Sequence, residues 1–102
     1  MTMVASANQK FSFAEKVWQV VCAIPPGKVL SYGAVATQAG FPGAARAVGT
    51  LMKKNYDPNR PCHRVVCADG RLGQYNRGVR AKEQKLRAEG LIIRAGRVTL
   101  VP

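Results

Sequence analysis

The stretch SYGAVATQAGFPGAARAVGTLMKK, residues 31–54, decides the fold. Ser31 is a candidate N-cap, because its hydroxyl can accept an N–H from the first helical turn. A helix is expected over about Tyr32 to Ala39, ending at Gly40. Phe41-Pro42-Gly43 makes a tight break, and a further helix runs from about Ala44 to Lys54 with Ala44, Val48, Leu51 and Met52 on its apolar face. Two short helices across a glycine-containing turn are the outline of a helix-turn-helix. Arg46 falls near the start of the second helix, away from the apolar stripe. Lys53 and Lys54 close its other end, where cations suit the helix dipole and phosphate contact is equally open to them.

Upstream, Ser12-Phe13-Ala14-Glu15 has the S-x-x-E form of a capping box. Phe13, Val17, Val20, Val21 and Ile24 then recur at helical spacing until Pro25-Pro26-Gly27 ends the helix. Cys22 lies beside this stripe and is expected as a packed core thiol. Val29-Leu30 reads as a short extended piece. Downstream, Asn55 to Arg60 is a polar loop, and the β-branched pair Val65-Val66 predicts a short buried strand. Ala68-Asp69-Gly70 is a turn, and Gly73 to Gly78 a glycine-bounded loop. A last helix is expected over about Val79 to Ala88, followed by a hairpin of Leu91 to Arg94 and Arg97 to Val101 around Ala95-Gly96. Residues 1–10 read as a flexible leader and residues 11–102 as one domain. The fold class this implies is mainly α with small β elements, a winged-helix-like helix-turn-helix domain.

With 102 residues, 47% hydrophobic and 21% charged, the composition is globular and not disordered. No apolar run approaches the ~20 residues of a membrane span. The N-terminus lacks the basic start and apolar centre of a secretory signal, so an intracellular, cytoplasmic protein is expected, at the nucleoid or in the nucleus according to its source. Cys22, Cys62 and Cys67 are an odd number, which argues against a disulfide framework. With His63 they lack the paired ligand spacing of zinc sites, so no metal site is expected. Sixteen Lys and Arg against five Asp and Glu give a formal net charge of +11. Such self-repulsion is relieved by a polyanion, and nucleic acid is the expected partner.

Pro61-Cys62-His63-Arg64 carries the candidate chemistry. A nucleophilic cysteine needs thiolate character, which a nearby histidine and a positive field promote. His63 is the only histidine in the chain. Neighbouring side chains of an extended strand face opposite ways, so contact between Cys62 and His63 requires a sharp bend, for which Pro61 is placed, or a bridging water. A carboxylate commonly orients such a base, and Glu15, Asp57, Asp69, Glu83 and Glu89 all remain open for that role.

Pro61-Cys62-His63-Arg64-Val65-Val66 closely resembles the active-site signature of O6-alkylguanine-DNA alkyltransferases. Ser31-Tyr32-Gly33, Ala44-Ala45-Arg46-Ala47-Val48-Gly49 and Gly73-Gln74-Tyr75 support the resemblance, as do Lys82-Glu83 and Ala88-Glu89-Gly90, in order over roughly Phe13 to Leu91. The resemblance implies minor-groove docking on double-stranded DNA containing O6-alkylguanine, by a monomer. Arg46 would fill the space left by a base flipped out of the stack. Cys62 would take the alkyl group by direct displacement and keep it, once per molecule and without cofactor. His63 would accept the thiol proton through water, Glu89 would orient His63, and Asn55 would brace the turn before the cysteine. Tyr32 would donate a hydrogen bond to the purine and ease its departure. The carbonyls of Cys62 and Val65 would accept from the exocyclic amine. The loop carrying Tyr75 and Asn76 would close over the base, and Arg64 and Lys53 count as further DNA contacts.

The chain departs from the family pattern in places. Only about a dozen residues precede the domain, where many relatives carry another. Arg60 stands where many have an apolar residue, which could loosen the turn or add a phosphate contact, and Asn76 where many have serine. Alkyltransferase-like proteins are the alternative: they share the DNA-binding elements but lack the cysteine, and they bind lesions and recruit other factors without reacting.

Overall fold

The computed structural model describes residues 11–73, 75 and 77–99. The expected leader over residues 1–10 and the hairpin's end at Val101 lie outside them.

Helix α1 spans Phe13–Cys22. It starts on the expected capping box: Ser12 Oγ accepts from Glu15 N at 3.1 Å, and Glu15 accepts from Ser12 N at 3.2 Å. Val17, Val21 and Ile24 are buried. Cys22 corrects the sequence reading, because it is exposed. At about 100° per residue it sits roughly 140° around the helix from Val17, outside the stripe.

Strand β1 is Leu30–Ser31, helix α2 is Tyr32–Gln38 and helix α3 is Ala45–Lys53. Ser31 Oγ caps α2 by accepting from Ala34 N at 3.0 Å. Its other end closes as a Schellman motif: Gly40, at φ 95°, donates to Thr37 O at 3.0 Å and Phe41 N to Ala36 O at 2.8 Å. That turn sets α3 against α2 and drops Phe41 edge-on against Phe13 at 5.0 Å between ring centres. Val35, Ala36, Val48 and Met52 fill the space between these helices and α1.

A one-turn 3-10 helix follows at Cys62–Arg64 and runs directly into strand β2, Val65–Val66. β2 pairs in parallel with β1, Leu30 opposite Val65 and Ser31 opposite Val66. Because successive strand side chains face opposite ways, the two valines enter different clusters. Val65 packs with Val17, Val35, Val48 and Cys62, whereas Val66 packs with Leu72, Leu86, Ile93 and Val98. Helix α4, Val79–Ala88, covers the second cluster. The last hairpin is shorter than expected, with β3 at Ile93–Arg94 and β4 at Arg97–Val98. Ala95 and Gly96 form its turn at φ 52° and 76°, the pattern of a type I′ turn. Among the described residues no helix is long and apolar enough to cross a membrane.

Candidate active site

Local backbone chemistry places Cys62. Asn55 follows α3, and its side chain gathers the loop behind it: Oδ1 accepts from Asp57 N at 3.1 Å, and Nδ2 reaches Asp57 O and Arg60 O, both at 3.4 Å. The same Nδ2 lies 3.3 Å from Cys62 Sγ and donates to it. Pro61, at φ −79° and ψ 61°, has the geometry of an inverse γ-turn. Cys62 N accordingly donates to Arg60 O at 2.8 Å. The sharp bend that the Cys-His step requires is therefore built from Pro61. The Arg60 guanidinium lies over the Trp18 ring at 4.5 Å.

Glu89 reaches the site because α4 stops where it does. Gly90, at φ 93°, donates to Arg87 O at 2.9 Å and Leu91 N to Leu86 O at 3.2 Å, a second Schellman motif that leaves Glu89 as the C-cap. Glu89 Oε2 lies 2.9 Å from His63 Nε2. Arg64 grips the same carboxylate, with Nε 3.0 Å from Oε1 and Nη2 2.7 Å from Oε2, while its Nη1 donates to Ile24 O at 2.8 Å. Burial works to raise the Glu89 pKa, but the hydrogen bonds and charges of Arg64 and His63 outweigh it and hold it near about 2. An ionised carboxylate only accepts, so the proton on Nε2 is the one that joins the pair, leaving Nδ1 with a lone pair in the neutral ring. Burial lowers the His63 pKa; contact with Glu89 opposes this, and the charges of Arg64 and Lys85 reinforce it.

The residues meet a cavity and a cleft. Cys62, His63, Asn55 and Tyr75 share a small cavity of about 10 Å³, the size of one water molecule. A larger cleft of about 710 Å³ is lined by Tyr32, Arg46, Gly49, Lys53, Cys67 and Gly73 among others, a cationic face on the helix-turn-helix. Cys62 is 5% exposed and does not line this cleft. Tyr32 does, and burial first, then the neighbouring Cys67 and Cys62 thiols, push its hydroxyl up to about 12.

Residues 12–91 match the family described as 6-O-methylguanine DNA methyltransferase, DNA binding domain. The chain belongs to that family. It is 48% identical over 82 residues to the methylated-DNA–protein-cysteine methyltransferase of Salmonella typhimurium, covering 79% of this chain and 48% of that protein. The chain thus spans about half the length of that relative. Mycobacterium tuberculosis OGT, crystallised in complex with DNA, superposes with a TM-score of 0.73 at 42% identity, covering 78% of this chain and 50% of that one. S. pombe Atl1, in complex with damaged DNA containing O6-carboxymethylguanine, superposes with a TM-score of 0.76 at 35% identity. There the coverage is 87% of this chain and 88% of the other. The mainly α helix-turn-helix fold with small strands is that of the methyltransferase DNA-binding domain.

Within this family member, Cys62, His63, Glu89, Asn55 and Tyr75 come together, and Tyr32, Arg46 and Lys53 share the cleft. Arg46 and Lys53 are exposed there. Arg64 is corrected as a DNA contact: its side chain is 15% exposed and its guanidinium is directed at Glu89 and Ile24. Asn76 lies outside the described residues. Val65 O already accepts from Lys82 Nζ at 2.7 Å, so a base amine there would use the carbonyl's other lone pair.

Lys82 is the residue that sequence reasoning missed. It is 0% exposed, lies 3.4 Å from the Tyr32 hydroxyl and 5.6 Å from the centre of its ring. Burial lowers its pKa to about 8, against the pull of the Cys62 and Cys67 thiols. Its sequence signals were its place in the Lys82-Glu83 motif and its spacing four residues before buried Leu86, on the inward face of α4.

Proposed function

We propose that this chain repairs DNA by moving an alkyl group from O6 of guanine in duplex DNA to Cys62 Sγ, once per molecule. The observation that carries this reading is one sulfur, in the family's Pro61-Cys62-His63-Arg64 signature, sharing a water-sized cavity with His63 and contacted by Asn55. His63, oriented by Glu89, would take the thiol proton through a water in that cavity. The sulfur would attack the alkyl carbon, breaking the carbon–O6 bond and leaving a thioether. The Tyr32 hydroxyl, protonated across the physiological range, would donate to the departing purine.

The cleft is the DNA surface in this reading. Arg46, exposed at the start of α3, would enter the duplex as the base leaves the stack, with Lys53 on the phosphates. Since Cys62 does not line the cleft, a flipped base would reach it only through a rearrangement between the cleft and the cavity that Cys62 shares with Tyr75.

A second reading, a lesion binder that does not react, draws support from the likeness to S. pombe Atl1, which was crystallised with damaged DNA and superposes with a TM-score of 0.76. Incubation with an O6-methylguanine duplex separates the two. The expected result is a gain of one methyl in protein mass, mapped to the Cys62 peptide and absent in Cys62→Ala, which still binds DNA. An unmodified wild-type chain bound to the lesion would refute the transfer and favour the binder.

A further inference from the structure

The signature places two basic residues after Cys62, and both hold the Glu89 carboxylate. We propose that Arg64 is a positioning residue for the proton relay, sharing the Glu89 carboxylate so that His63 stays a neutral acceptor and not an imidazolium. The inference rests on the proposed reading of Cys62 and His63.

The geometry is specific. Glu89 faces two cations or potential cations from one turn: His63 on Oε2 at 2.9 Å, and Arg64 on both oxygens at 3.0 and 2.7 Å. All three side chains are nearly enclosed, at 10% exposure for His63, 15% for Arg64 and 16% for Glu89. In a confined site a carboxylate beside a lone imidazole draws a proton onto it, giving an ion pair. Arg64 supplies the balancing charge first, because a guanidinium never releases its proton. Glu89 with Arg64 is then neutral as a pair, and a second positive charge on His63 would be uncompensated.

The fork matters beyond its charge. A guanidinium binding both carboxylate oxygens fixes the plane of the carboxylate, which a lysine on one oxygen would not. With the plane fixed, the His63 N–H has one direction in which to donate. Arg64 is itself anchored from behind by Ile24 O at 2.8 Å, just past the end of α1. The residue therefore ties the helix before the helix-turn-helix to the carboxylate at the end of α4.

Other charged and titratable groups act on His63. Lys85 comes from α4, and Asp57 and Arg60 from the loop before the cysteine. Tyr75 and Arg77 come from the segment before α4, and with these the cavity also holds Cys62. The charge of Lys85 disfavours a protonated ring, as those of Arg60 and Arg77 would, whereas Asp57 and an ionised Cys62 would favour it. None of them touches Glu89 in the described hydrogen bonds, so Arg64 is the group whose removal releases the carboxylate to His63.

The chain's only histidine makes the test direct, since one imidazole accounts for the whole histidine NMR signal. In the DNA-free wild type at pH 7, its nitrogen shifts should report a neutral ring protonated at Nε2. An imidazolium there overturns the proposal, whatever any variant does. In Arg64→Met the His63 midpoint should rise by about one unit or more, and the acid limb of Cys62 methylation should move up with it. In Arg64→Lys, which keeps the charge and loses the fork, the rise should be smaller. A folded Arg64→Met with an unmoved or lowered midpoint refutes the role, as does a rise in Arg64→Lys equal to that in Arg64→Met. The titration needs no DNA, so absence of methyl transfer at every pH would count against the proposed function and leave this measurement standing.

Discussion

Replacing Lys82 by Met tests how the buried amine is held. The thioether chain is similar in length and keeps the packing, but it cannot carry charge or donate. In the folded chain Lys82 titrates near about 8, against an ordinary 10.5. Between these values the unfolded chain binds the proton and the native chain does not, so native stability rises as pH climbs through the window. Below pH 8 the amine is charged in both states, and the desolvation cost is fully present. From pH 7 to pH 10 the wild type should gain about 2–3 kcal/mol from this group. Above pH 10 the half-buried Tyr32 hydroxyl, raised to about 12, acts in the opposite sense and erodes stability, so the comparison ends there. Lys82→Met lacks the Lys82 term and also leaves Val65 O without its donor, a constant loss of about 1 kcal/mol. Urea unfolding followed by Trp18 fluorescence, at half-unit pH steps, gives both curves. The difference between wild type and variant should widen by about 2–3 kcal/mol between pH 7 and 10. Parallel curves would refute the reasoning and mean that the amine titrates as if solvated.

Two backbone predictions follow from the turns. Gly40 and Gly70 share positive φ, at 95° and 91°, but a Cβ at Gly40 meets open space while one at Gly70 would sit 2.6 Å from Val98 O. Gly40→Ala should cost about 1–2 kcal/mol from conformation alone. Gly70→Ala should cost about 1–3 kcal/mol more from the clash; equal urea midpoints would contradict this. Ala95, exposed at φ 52° in the hairpin turn, occupies a position that suits asparagine. Ala95→Asn should therefore raise stability by about 0.5–1 kcal/mol, and a lowered melting temperature would show that the turn is not strained.

Legibility divided along physical lines. The capping box at Ser12, the cap at Ser31 and the break at Gly40 are local hydrogen-bond chemistry, so they could be read directly. The parallel pairing of β1 with β2 could not, because it joins two-residue strands far apart in sequence that offer no periodicity of their own. Cys22 was misplaced by sequence proximity to an apolar stripe when its helical angle decides its exposure. The choice among five carboxylates stayed open to composition, and the Schellman turn at Gly90 is what carries Glu89 to His63. Arg64 and Lys82 were hidden for a shared reason. In a chain of net charge +11, every cation invites a solvated or DNA-facing reading, and although both lie in family motifs, charge alone does not mark the two that turn inward.

The two-residue strand β2 is a party wall: Val65 belongs to one room of the interior and Val66 to the other. Neither room has that side closed without it. A fragment ending before β2 would keep the helix-turn-helix residues but lose the partner of β1 and the turn holding Cys62. A fragment beginning there would lack α1 to α3, against which Val65 packs. The helix-turn-helix and the terminal hairpin should therefore melt as one body, and α3 cannot be borrowed as a separable part.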